Sequence, residues 1–159
     1  MSHPAASWAE FESAAPEMAA WGLRLLYRDG VGDVLFTTVA GEAPPRTHPV
    51  NIGIVAGRLL VFVQDRSAKA RDLAADGRYA LHAHQDPAEP HEFLLRGRAV
   101  LVTDAAIRRT AIADWPFTPD DAYGLYELAI EHTLFGERAS PKAWPPHYTS
   151  WRPPARGGL

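Results

Sequence analysis

The spacing of apolar positions changes several times along the chain, and each change marks an element. Ser7 with Glu10 three residues on has capping-box spacing and predicts a short helix. From Pro16 to Tyr27 the residues Met18, Trp21, Leu25 and Leu26 recur at helical spacing behind a proline suited to a first turn, and Asp29-Gly30 stops that helix. The period then shortens. Asp33 to Val39 predicts a strand. Arg46 to Val55 and Arg58 to Val63 are apolar runs flanking Ala56-Gly57, which predicts a hairpin. Pro44 and Pro45 hold its entry extended. Ser67 stands at an N-cap position before a helix over Ala68 to Ala75. Arg78 to His84 and His91 to Thr103 read as strands, with Gly97 marking a bend or bulge that would let a sheet curl. Asp104 caps a helix over Ala105 to Ala113, and Trp115 to Pro119 is irregular. In Tyr123 to Phe135 the residues Tyr126, Leu128, Ile130, His132 and Leu134 alternate with Glu127, Glu131 and Thr133, which favours strand over helix. Tyr148 to Arg152 is a short last strand. Residues 1–6 and 153–159 are expected to be flexible.

Six or seven strands with two or three helices imply an α+β fold, mainly β, built as a six- to seven-stranded antiparallel barrel with peripheral helices. No repeat or linker divides the chain, so residues 1–159 are read as a single domain.

Composition narrows the chemistry. The chain has no cysteine, which excludes disulfides, thiolate catalysis and cysteine-bound metals. It lacks a basic-then-apolar leader and any run of membrane-spanning length, so a cytoplasmic location and no membrane partner are expected. Arg46, Arg58, Arg66, Lys69, Arg71 and Arg78 face only three acids within the same segment, a net +3 in a chain of formal charge −3. A local basic island of this kind suits a small anionic ligand rather than nucleic acid. At its centre, Ser67 and Lys69 lie in the first turn of a predicted helix, where free backbone amides and the helix dipole favour a phosphate.

Three features together, HPV on one strand, GRL opening the next, and S-x-K-x-x-D-L at the helix start, resemble the pyridoxamine 5′-phosphate oxidase-like flavin proteins, the FMN-binding split barrels. The resemblance covers residues 16–104 well and the C-terminal third poorly. It implies an antiparallel split barrel and FMN as cofactor, bound by Arg46, Thr47, His48, Pro49 and Val50 on one strand, Val63 and Gln64 on the next, and Ser67 and Lys69 at the helix start. It also implies a homodimer with the flavin at the interface and a small-molecule substrate. The family often carries a basic residue where this chain has Ala68. Trp151-Arg152 is similar to the C-terminal Trp and Arg of true pyridoxamine-phosphate oxidases, but the fuller basic motif of those enzymes is absent. No basic cluster is expected around Arg152, which argues against pyridoxamine phosphate as substrate.

The expected activity is therefore a flavin-dependent oxidoreductase of unassigned substrate, with no catalytic side chain named. Two alternatives stay open. One is a deazaflavin-dependent reductase on the same fold, with Arg66, Arg71 and Arg78 gripping a longer anionic tail. The other is a non-enzymatic flavin- or haem-binding protein. His82 and His84, two apart on one strand face with His91 nearby, are the residues a metal or haem would use, but no metal site is assigned. Glu127 and Glu131 read as a solvated face.

Overall fold

In the computed structural model, which describes residues 3–157, eight strands and four helices follow in the order α1 (Trp8–Ala14), α2 (Pro16–Leu26), β1 (Tyr27–Arg28), β2 (Val31–Thr38), β3 (Arg46–Val55), β4 (Arg58–Gln64), α3 (Ala68–Ala75), β5 (Arg78–Ala83), β6 (Glu92–Leu101), α4 (Ala105–Asp114), β7 (Tyr123–Glu137) and β8 (His147–Trp151). Strands β2-β3-β4-β7-β6-β5 form an antiparallel barrel closed by β5 on β2, and β1 and β8 extend it from β2 and β7. The mainly β split-barrel expectation holds, with one more strand and more helices than the pattern suggested.

The caps act as their residues dictate. Ser7 and Glu10 form a reciprocal capping box on α1. Ser67 Oγ accepts from Ala70 N at 3.2 Å, and Asp104 accepts from the amides of Ala106 and Ile107. Asp29-Gly30 does more than stop α2. Both residues have positive φ, 52° and 78°, and they turn β1 back onto β2. Strand β2 accordingly starts at Val31, two residues earlier than the pattern suggested. The stretch of uncertain period is a strand, β7, of fifteen residues.

Alternation puts Val34, Phe36, Leu59, Val61, Leu81, Phe93, Leu95, Leu128 and Ile130 into one buried cluster. Trp8, Phe11, Ala19 and Leu26 from α1 and α2 join it, each fully buried or nearly so. Burying one such Leu or Phe contributes about 1.5–3 kcal/mol. Leu60 and Phe62 point the other way, under Ala111 and Trp115 beside α4. Strand β4 is therefore covered on both faces, which is why its sequence is an unbroken apolar run. One expectation is corrected at the N-terminus. Ala6 is buried and exchanges two backbone hydrogen bonds with Ile130, 2.9 and 2.8 Å, so the expected flexibility of residues 1–6 fails there. The ends of both expected flexible segments, residues 1–2 and 158–159, lie outside the described residues.

Two ladder features shape the surface. Strands β3 and β4 pair over only three positions, Gly53↔Leu60, Ile54↔Leu59 and Val55↔Arg58. Beyond them β3 pairs with β2 alone and β4 with β7 alone, so the hairpin parts. Between β6 and β7 the register shifts at Arg96/Gly97, with Arg96 opposite His132 but Gly97 opposite Ile130. Glu131 is the extra residue of a β-bulge. Only glycine fits at position 97, because a Cβ there would lie 2.0 Å from Ala129 O.

Candidate flavin site

The expected site residues lie on the two strands that part, β3 and β4, and at the start of α3. From Arg46 to Ile52 the edge of β3 turned away from β2 has no strand partner among the described residues. Pro49, which has no N–H to give, is tolerated on such an edge. The other lip is the end of β4. Val63 is buried in the core and offers only its backbone, while Gln64 is exposed. The chain then turns through Ser67 N–H donating to Gln64 O, 2.9 Å, into α3. With Ser67 Oγ capping Ala70 N, the amides of Ala68 and Lys69 remain without partners among the described residues.

Arg46 is oriented by a group the sequence reading quoted without a role, the Asp of S-x-K-x-x-D-L. Asp72 is buried on α3 and accepts from Thr38 Oγ1 at 2.8 Å and from Arg46 Nε at 3.2 Å. The Nη groups of Arg46 have no hydrogen-bond partner among the described residues. Thr47 shares a 2.8 Å hydroxyl contact with Thr37, and His48 has a buried Nδ1 with no partner among the described residues. Arg46 and His48 are the two titratable side chains on β3.

The basic island is smaller than its sequence. Arg58 makes a two-pronged pair with Glu127, 2.7 and 2.9 Å. Arg78 grips Asp76 through Nε at 2.5 Å and Nη2 at 2.7 Å, and this hydrogen bonding holds the Asp76 carboxyl well below the usual carboxylate range. Arg46 is tied to Asp72. The cations of this island without an acid partner among the described residues are Arg66, Lys69 and Arg71, all at the start of α3.

Other expectations separate. His82 lies on the outer face of β5 and His84 just past its end, both partly buried. His82 Nδ1 is 2.5 Å from Ala83 O, and His84 Nε2 is 3.4 Å from Asp33. His91 belongs elsewhere: it is buried against Trp21, and its Nδ1 accepts from Arg138 N at 3.0 Å. Among the described residues no group of three His, Asp or Glu is arranged to hold a metal. Glu127 and Glu131 are not a solvated face, since each is partly buried beside an arginine. Arg152 does have cationic company: a cleft of about 410 Å³ is lined by Arg78, Arg96, His132 and Arg152. No described helix is long and apolar enough to cross a membrane.

Neither a family model nor a curated protein matches the sequence. Among solved structures the fold is shared with a NimC/NimA family protein from Clostridium acetobutylicum, at TM-score 0.62 and 13% identity, covering 83% of this chain and 92% of that one. It is shared with a candidate pyridoxamine 5′-phosphate oxidase from Listeria innocua, at TM-score 0.57 and 16% identity over 72% of this chain and 94% of that one. A heme binding protein from Mycobacterium smegmatis matches at TM-score 0.59 and 16% identity, covering 76% of this chain and 52% of that protein. Identities this low establish the split-barrel fold and leave the activity to the chemistry of the site.

Proposed function

We propose that this chain belongs to the pyridoxamine 5′-phosphate oxidase-like flavoproteins and is an FMN-dependent oxidoreductase acting on a small molecule, with a homodimer forming around the cofactor. The observation that carries the reading is the open edge of β3 together with the first turn of α3, where the amides of Ala68 and Lys69 have no partner among the described residues. A flavin mononucleotide needs a dianion seat and hydrogen-bonding groups along a flat ring; the free amides and cations at the start of α3 would serve the first and the unpaired edge of β3 the second.

The residues divide the task. The free amides of Ala68 and Lys69, the Lys69 ammonium and the Nη groups of Arg46 would hold the phosphate. Asp72 keeps Arg46 in one orientation, so less rotamer freedom is lost on binding. The β3 backbone from Thr47 to Val50, with Val63 backbone and Gln64 across the gap, would fix the ring edge. His48 would give or take a hydrogen bond at Nδ1, which has no partner among the described residues. Bound FMN supplies hydride and electron transfer. The split is open on one side, and a second copy would cover it and exclude water.

FMN is favoured over a deazaflavin by the fate of Arg78, whose pairing with Asp76 shortens the groove that a longer anionic tail would need. Haem is kept as a second reading by the heme-binding neighbour. The visible spectrum of the purified protein separates them. We expect flavin absorption that reappears when stripped protein is titrated with FMN, and a dimer in sedimentation at micromolar concentration. A haem spectrum, or protein that takes up no flavin, would refute the cofactor reading; a monomer that binds FMN would refute only the shared site.

A further inference from the structure

We infer that Arg96, His132 and Arg152 form a second anion-binding site, which takes the phosphate group of a small molecule independently of the flavin seat. In the barrel order β6 stands three strands from β3 in either direction, so the site faces away from the split of its own chain.

The bulge builds it. Ordinary alternation would turn Glu131 and His132 to opposite faces, but the extra residue opposite Arg96/Gly97 lets both line one cleft of about 410 Å³. Bulges of this kind re-aim side chains next to functional sites. Arg96 projects from the partner position and gives its Nε–H to His132 Nδ1 at 3.1 Å. That bond requires a lone pair on Nδ1, so the imidazole is neutral with its remaining proton on Nε2. Arg152, at the end of β8, completes the group.

The charges facing His132 come from every neighbouring element: Arg96 from β6, Arg152 after β8, Arg78 from β5, Glu131 beside it, and His3 from the N-terminal segment. Two of these are already answered. Arg78 is held by Asp76, and Glu131 lies 3.6 Å from Arg98. Arg96 and Arg152 have no carboxylate partner among the described residues, and Arg96 spends its Nε–H on a neutral ring instead. Burial, then Arg152, then Arg96 push the His132 pKa down from its ordinary value. Like charges that have no acid within ion-pair distance repel one another even with Glu131 in the lining, and an anion between them reverses the sign of that interaction. A phosphate dianion can accept from both guanidinium groups and from His132 Nε2–H, which matches the donors present.

The test uses inorganic phosphate on the full-length chain without flavin, at ionic strength held constant with chloride, followed by the ring NMR signals of His132. These are assigned by their loss in His132→Asn. We expect a saturable shift and a rise in the His132 pKa as phosphate fills the site. Arg96→Gln and Arg152→Gln should each weaken phosphate by about 10-fold or more, the loss of one charge-assisted contact, while Lys69→Ala leaves this titration unchanged. Both arginines are exposed, so the two variants serve as independent checks against a folding defect. An unsaturable drift common to all histidines, or a response abolished by Lys69→Ala and not by Arg152→Gln, would overturn the site. Neither result bears on the flavin reading, because no flavin is present.

Discussion

Lys69→Ala and Arg58→Ala test the phosphate seat from opposite sides. Both remove a cation of the same basic island, yet the structure gives them different work. Lys69 is half-buried in the first turn of α3, with no acid partner among the described residues. Losing one charge-assisted contact to a phosphate costs about 1.5–3 kcal/mol, which weakens FMN by about 10- to 150-fold. The folded state should not suffer. Alanine is at least as good a helix former as lysine, and removing a cation from a helix N-terminus gains about 0.3 kcal/mol. Arg58 is the reverse case. Its two-pronged pair with Glu127 ties β4 to β7, and the Glu127 side chain is only 18% exposed. Arg58 itself is 42% exposed, so solvent screens the pair and its loss is set at about 1 kcal/mol. That lowers Tm by about 2–4 °C for a chain of this length and leaves FMN affinity alone. Fluorescence-quench titration of FMN and thermal unfolding, run on both variants, give the two readouts. If both variants weaken FMN equally, or if Lys69→Ala leaves it unchanged, the phosphate sits elsewhere and the argument from the start of α3 is wrong.

Two further outcomes follow from single positions. Gly97→Ala should destabilise by about 3 kcal/mol in urea unfolding, at the upper end for overpacking, because the added Cβ meets the backbone at Ala129 O and Glu131 N rather than a side chain that can move; a loss under about 1 kcal/mol would mean that the β6–β7 register can slip. Asp76 has its carboxyl pKa depressed by Arg78, so its contribution to stability is present above the unfolded carboxylate range, near 3.9, and is lost as pH falls through the lower folded value. Asp76→Asn should therefore be less stable than the parent at neutral pH, with the gap closing in acid, and a gap that stays constant down to about pH 2 would refute the pairing.

Much of this molecule is written in local pattern. The caps at Ser7, Ser67 and Asp104 need only a side-chain oxygen and the next turn of backbone, so they were legible without the fold. The strands were legible because burial of one face imposes a period of two, and Gly97 announced its bulge because no other residue tolerates that approach. The positions of the proposed flavin site were legible only as a motif, HPV, GRL and S-x-K-x-x-D-L. What joins them is the parting of β3 from β4, a register fact that no short stretch of sequence contains. Charge was legible in number but not in use. Arg46, Arg58 and Arg78 count as cations in the sequence, and tertiary structure gives each an acid, two of them from distant strands or helices. The cluster around Arg152 shows the limit most plainly. Arg96, His132 and Arg152 lie 36 and 20 residues apart in the chain, and a single extra residue in β7 decides whether His132 faces the arginines or turns away from them. Side-chain direction in a sheet inverts with each residue of register, so chemistry assembled across three strands is fixed by pairing and not by composition.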